Sequence, residues 1–280
     1  MKQLAPQIQP IDMQGTSAIR IAPASELADF ESCVDVQLAV WGYSDGDLIP
    51  KRVFIVAGRI GGQVIGAFAG ERMVGFAMAL PGYRDGKPYL HSHMLAVLPE
   101  FRNAGLGRRL KLAQRDDALA RGFDWMEWTF DPLEIKNAHL NIARLGAIVR
   151  RYIPDFYGPS TSPLQGGLPT DRLVAEWWLR SGRVRRILGE DMAEPAAEPV
   201  EKVEEIVERV TIPSAIYDWK RNPEQRKLAE SLQTSNRIAL ESAFGRGLAV
   251  TGYERNAEGD GCFLLGPARR LEELEAGNRI

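Results

Sequence analysis

The run LAVLPEFRNAGLGRRL, Leu95 to Leu110, constrains the fold of this chain more than any other feature. A β-prone stretch, PYLHSHMLAV, leads straight into a turn carrying Arg102, Gly105 and Gly107. The segment RRLKLAQRDDALARG follows, with Leu106, Leu110, Ala113 and Ala120 on one helical face and Gly122 as the stop. FDWMEWTF then has the composition of a strand. Strand, helix, strand in this order makes the two strands parallel members of one sheet, because the crossover must return along the sheet face.

Upstream the pattern is antiparallel. VIGAFAG and GERMVGFAMAL flank a Gly70-Glu71-Arg72 turn, the signature of a hairpin, and Asp85-Gly86 turns the chain into PYLHSHMLAV. A short strand is expected from Ala18 to Ile21, then a Ser25-capped helix to about Trp41, a break at Asp45 to Asp47 and a second helix over Pro50 to Gly58. Downstream, Asn137 to Leu145 reads as helix, AIVRRY as strand and LVAEWWLR as the strand that closes the sheet. Between Ile153 and Arg172 lie four Pro and three Gly with no periodicity, a loop long enough to suggest function. The fold class expected is α/β (α+β), a mixed and mostly antiparallel central sheet with a small C-terminal α/β appendage.

The expected organisation is a flexible tail over 1–16, a main domain over 17–183, an acidic Pro/Ala-rich linker over 184–202, a small α/β subdomain over 203–270 and a tail over 271–280. In the subdomain a strand over Glu205 to Ile212 precedes a long helix with Asn222 as N-cap, Pro223 at its first position, Gln225 completing a capping box and Gly245 past its end. GLAVTGYE and GCFLLG then pair across a Gly-rich turn. A unit this short is expected to dock on the main sheet.

Composition narrows the function. The 35 basic and 37 acidic side chains give a net charge of -2, which argues against a general grip on nucleic acid. Three His and two Cys leave no room for a disulfide framework or a Cys-rich zinc site, and no metal is expected. No apolar run reaches signal-peptide or membrane-spanning length, so a cytoplasmic protein without a membrane partner is expected.

The chemistry lies in the glycine turn. Where a strand enters a helix through glycines, the first-turn N–H groups lack partners and the helix dipole favours an anion. Gly105 and Gly107 remove side chains that would block a phosphate, and Arg102, Arg108, Arg109 and Lys111 add cations. There is no G-x-x-x-x-G-K-[ST] and no G-x-G-x-x-G, so neither a P-loop nor a dinucleotide fold fits. A nucleotide-like pyrophosphate does.

Strand, R-x-x-G-x-G, then helix, after an antiparallel meander, resembles the GCN5-related N-acetyltransferase (GNAT) superfamily over about Ser17 to Gly182. The resemblance implies acetyl-CoA, or another acyl-CoA, as co-substrate and a sheet whose strands ending near Val97 and Phe130 splay to admit pantetheine. By the same resemblance Leu95, Ala96 and Val97 would meet pantetheine, and Arg102, Asn103, Ala104, Gly105, Leu106, Gly107 and Arg108 would hold the pyrophosphate. Asn137 would touch the cofactor or simply cap its helix. The run HSHMLAVLPEFRNAG is similar to the arylalkylamine N-acetyltransferases, whose paired His are implicated in taking the proton from the amine.

An alkyl amine with a pKa of about 10 must lose a proton before attacking a thioester, and His suits that work. His91 and His93 alternate on one strand and so share a face. The other readings are polar residues on a half-exposed strand and a metal pair lacking a third ligand. Glu127 is a further candidate, as base or as the group that orients the amine. Trp125 and Trp128 point to opposite faces, so at most one lines the cleft, and Asp171-Arg172 could bind a charged substrate or form a local ion pair.

One departure from the family pattern stands out: Ile142 occupies the place of the usual thiolate-protonating Tyr, leaving Tyr152, Tyr157 or an unassisted thiolate. The function expected is acyl-CoA-dependent N-acyl transfer, most simply acetyl, to a primary amine of a small molecule by direct attack. The alternatives are a succinyl or other larger-acyl transferase acting on an amino acid, with Arg150, Arg151 or Arg172 near the acyl group, and a non-catalytic acyl-CoA-binding module. A homodimer is compatible with the sequence.

Overall fold

The structure, a computed structural model, describes residues 19–42, 47–160, 162–190 and 205–268. The expected tails, Asp45 and the linker beyond Glu190 lie outside them. The first part of that expected linker is helical instead, inside α5 (Gly182–Leu188), where the Ser181 side chain accepts from Val184 N–H as N-cap.

Ten strands form one sheet in the order β1-β2-β3-β4-β5-β7-β6-β9-β10-β8. The antiparallel meander comprises β1 (Ile19–Pro23), β2 (Gln63–Ala69), β3 (Arg72–Arg84) and β4 (Lys87–Val97). Next comes β5 (Trp125–Phe130), the parallel partner of β4 across α3 (Leu106–Ala120). β7 (Arg172–Trp178) does not end the sheet but sits between β5 and β6 (Ile148–Ile153), antiparallel to both. The 154–171 loop gives the chain the length to make that reversal.

α1 (Leu27–Trp41) and α2 (Lys51–Arg59) cover one face of β1 to β4, and α3 covers the other. Strand alternation shows this: Gln63 of β2 reaches the Gln114 carbonyl of α3, while Phe76, opposite Gly66, packs edge-on against Phe54 of α2. The first helix starts two residues beyond Ser25, because the Asp29 carboxylate accepts the N–H groups of both Ser25 and Glu26. After β5, α4 (Ile135–Ala138) widens into a π-helical turn over His139–Arg144.

The C-terminal segment contributes β8 (Glu208–Ile212), α6 (Ile216–Arg221), α7 (Arg226–Gly245), β9 (Leu248–Arg255) and β10 (Gly261–Pro267). β9 meets β6 at Val149↔Val250, so these strands continue the main sheet. Trp128, Leu173 and Val149 share one apolar core with Val210, Leu240 and Phe263. Each such buried side chain contributes about 1.5–3 kcal/mol. The Asn222 cap is present, but it closes a short 3₁₀ turn over Pro223–Gln225, and Gln225 makes no capping box with it.

Candidate active site

The site begins where the parallel ladder stops. β4 and β5 pair only at Leu90↔Met126 and His91↔Glu127, although they run on to Val97 and Phe130. Beyond His91 the strands part, leaving a wedge with backbone polar groups along the β4 side. Leu95, Ala96 and Val97 lie on that edge.

The wedge opens towards the N-terminus of α3. Gly105 is the residue before the helix, at φ 75°, and a Cβ there would meet nothing within 4 Å. That combination needs glycine for its backbone and leaves open space above the first-turn amides of Leu106, Gly107 and Arg108. Asn103, at φ 63°, adds a second left-handed residue to the turn and Ala104 lies between the two. These residues fit a pyrophosphate-sized anion.

The cations divide. Arg102 Nε donates to the Val97 carbonyl at 3.0 Å, tying the turn to the end of β4. Arg108 is half-buried, 3.4 Å from the Arg144 carbonyl, whereas the exposed Arg109 reaches the Ile19 carbonyl on the sheet edge. Lys111 is not at the turn: it faces the sheet and is fully buried. Helical periodicity carries it away from any phosphate. Asn137 is exposed and accepts from Asn141 rather than capping the helix.

On one face of the junction, His91 and His93 stand side by side with ring centroids 6.2 Å apart. Strand alternation puts them there, and a β-bulge follows at this point. Met78 pairs with Met94 and Ala79 with Ser92, so His93 is the extra residue. Burial lowers the His93 pKa from its ordinary value, and the neighbouring His91 lowers it further. Both effects favour the neutral form of His93.

Glu127 lies beneath the pair. Its carboxylate takes two hydrogen bonds from Arg84, 2.6 and 2.7 Å, and one from Arg151, 2.7 Å, while His91 Nδ1 is 3.7 Å from Oε1. Burial alone would raise the Glu127 pKa, but His91, Arg84 and Arg151 together hold it far below the carboxylate range. A carboxylate so placed is a fixed charge and a poor proton acceptor. Glu176, its neighbour across β7, is held by Arg150 at 2.5 Å and lies 3.5 Å from Arg151.

The other face is sealed. Lys111 Nζ donates to Ser92 Oγ at 2.7 Å and sits 3.5 Å above the Trp128 ring. Ser92 donates in turn to Gln114, 2.8 Å. Burial drives the Lys111 pKa well below its ordinary value. Both tryptophans of β5 are buried: Trp128 here, Trp125 stacked between Tyr89 and Trp178 on the histidine face.

The 154–171 loop borders the histidine face. Tyr157 Oη lies 3.0 Å from Thr129 Oγ1 of β5, and Ser162 donates to the Trp41 carbonyl at the end of α1. Asp171 is buried and takes the Tyr152 hydroxyl at 2.6 Å and the Asp155 N–H at 2.9 Å, so it pins the neck of the loop. Arg172 stacks on Tyr157 and bonds the Asp171 carbonyl, not its carboxylate. Helices α6 and α7 buttress the loop: Arg226 donates to the Gly167 carbonyl and Gln233 to that of Pro169. Lys220, bonded at 3.0 Å to both Asp131 and Glu134, ties α6 to the end of β5.

Sequence reasoning overlooked Arg84, Glu176 and Ser92. Two carboxylates set among aromatics in WMEWTF and VAEWW were the available signal, since a charge in an apolar strand demands a cationic partner. Neither thiol belongs to the site. Cys33 is buried against Met73, where burial pushes its pKa up to about 12, and Cys262 lies on β10.

No curated protein matches the chain. Among solved structures, the ribosomal-protein-S18-alanine N-acetyltransferase of Escherichia coli is 17% identical, with 57% of this chain and 93% of that one covered at a TM-score of 0.46. A GNAT family acetyltransferase from Elizabethkingia anophelis with acetyl-CoA bound is 16% identical, covering 58% and 99% at 0.44. Ard1 from Thermoplasma volcanium is 14% identical, covering 57% and 96% at 0.46. A family model, Acetyltransferase (GNAT) family, matches residues 33–140, from within α1 to the end of α4, and so takes in the wedge and the glycine turn. Residues 33–140 are thus similar to the Acetyltransferase (GNAT) family.

Proposed function

We propose that this chain transfers an acyl group, most simply acetyl, from acyl-CoA to the primary amine of a small molecule by direct attack. The observation that carries the reading is the coincidence of three features at one point: the parallel ladder ends, the wedge opens towards Gly105, and His93, its neutral form favoured, stands beside His91.

The amides from Asn103 to Arg108 would hold the pyrophosphate and the β4 edge at Leu95 to Val97 the pantetheine arm. Acyl-CoA would supply the thioester there. His93 accepts the proton of the incoming ammonium, with His91 as its neighbour in the relay, and Glu127 fixes His91 and the two arginines in place without itself titrating. The buried Cys33 and the remote Cys262 favour direct attack over a covalent intermediate. Tyr157, exposed beside Thr129 on the cleft face, is the better placed of the two tyrosines to protonate a leaving thiolate, since Tyr152 is committed to Asp171.

Titration calorimetry with coenzyme A tests the cofactor half. Binding is expected for the wild type and lost in Gly105→Val, whose β-branched side chain cannot hold φ 75° cheaply. Absence of binding by the wild type would sink the proposal. Thiol release from acetyl-CoA across a panel of amines tests the transfer half.

A further inference from the structure

Two guanidinium groups cover Glu127, and they define what the acceptor must carry. The carboxylate lies underneath with its side chain 5% exposed, while Arg84 and Arg151 above it are 34% and 38% exposed. The surface offered to the cleft is therefore cationic. Three of the roughly four acceptor positions of Glu127 are already taken by guanidinium hydrogen bonds, and His91 Nδ1 stands 3.7 Å from the oxygen with one to spare.

We propose that the substrate pair includes a carboxylate borne by the acceptor itself, close to its reacting amine, and that Arg84 and Arg151 receive it. This rests on the acyl-transfer reading above and narrows its acceptor to amino acids. Each guanidinium has five N–H donors in a planar fork, so donors remain after Glu127 is served. The distance between amine and carboxylate is fixed by the site: Arg84 Nη2 and His91 Nδ1 converge on the same Glu127 oxygen, at 2.7 and 3.7 Å. An acceptor that presents its amine to the histidines and its carboxylate to the arginines can separate the two by only a few bonds, as an α-amino acid does.

A cationic rim also selects against the alternatives. A polyamine or an arylalkylamine brings positive charge to a cluster in which Arg84, Arg150 and Arg151 already outnumber Glu127 and Glu176, whereas a zwitterion brings its own counter-charge. The same rim disfavours the ammonium form of a bound acceptor, which assists loss of its proton to His93.

Matched pairs differing only in the carboxylate provide the test: L-phenylalanine against phenethylamine, L-tryptophan against tryptamine, L-lysine against cadaverine. Thiol release by the full chain is followed with acetyl-CoA and with succinyl-CoA. The acid member of at least one pair is expected to exceed its decarboxylated partner by about tenfold or more in kcat/KM, because a site built to bond a charged group rejects the analogue lacking it. In Arg151→Gln the ratio of acid to amine kcat/KM within a pair should shrink, chiefly through a raised KM for the acid member.

Equal or better turnover of the decarboxylated members overturns the inference and leaves acyl transfer standing. A preference for succinyl- over acetyl-CoA without discrimination within pairs assigns the carboxylate to the acyl chain, and overturns it too. If no amine supports thiol release, the transfer reading itself falls. Calorimetry of the coenzyme A-loaded wild type then decides the carboxylate question by itself: tighter binding of the acid members supports it, equal binding refutes it.

Discussion

The two faces of the β4–β5 junction are built on the same few residues yet handle charge in opposite ways. On the open face, Glu127 is surrounded by Arg84, Arg151 and His91, and the arginines are about one-third exposed. On the sealed face, one residue further along each strand, Ser92 and Trp128 enclose Lys111, which has no carboxylate partner among the described residues. Burial alone does not decide ionisation. Glu127 and Lys111 are both buried, but neighbouring cations hold the Glu127 pKa down and favour its charged form, while burial without a carboxylate partner lowers the Lys111 pKa and disfavours its charged form. Chemistry that handles protons and charged ligands belongs on the open face; the sealed face contributes rigidity.

Substitutions can break that contrast, and the largest effect is expected in turnover. His91→Ala combined with His93→Ala should lower kcat by about 10²-fold or more near neutral pH, the usual contribution of a positioned base, with little change in melting temperature. In the wild type the acid limb of the pH–rate profile should fall below the ordinary His value of about 6.5, because burial lowers His93. An unchanged profile in the double variant would remove the histidines as bases. Next in size, Glu127→Ala leaves two guanidinium groups facing each other and should cost about 2–3 kcal/mol in denaturant unfolding, less than a fully buried pair because the arginines are partly hydrated.

Lys111 offers the sharper test of the sealed face. Its folded pKa lies below its unfolded value, so between the two the unfolded chain binds one more proton. Stability should then rise with pH, by as much as about 1.4 kcal/mol per unit, up to the unfolded value near 10.4. Lys111→Met should remove this slope while keeping the volume, as urea unfolding at pH 7, 8 and 9 would reveal. A persistent slope would mean that Lys111 is not its origin. The smallest change is Ser92→Ala, expected to cost about 1 kcal/mol by leaving Lys111 and Gln114 without their shared partner. Thiol release by this variant should stay near the wild-type rate.

Much of this was legible in the residues. The crossover from PYLHSHMLAV through the glycine turn to FDWMEWTF, the hairpin at Gly70 to Arg72 and the shared face of the two histidines follow from period and turn chemistry, which are local. The insertion of β7 between β5 and β6 was not legible, because strand order depends on where the 154–171 loop carries the chain. Nor was the continuation of the sheet through β6 and β9. A free strand edge and an apolar C-terminal face are satisfied by pairing with each other, and local sequence does not name the partner.

The same division holds within the site. The sequence by itself determined the βαβ unit, the glycines at the anion turn and the proximity of His91 to His93, since each depends on backbone period or on the absence of a side chain. Only the tertiary structure decided the state of the charges. Arg84, Glu127 and Arg151 come from three strands far apart in sequence, and Lys111 meets Ser92 and Trp128 across a helix–sheet contact. Electrostatic energy falls with distance and rises with burial, and both are properties of the folded chain.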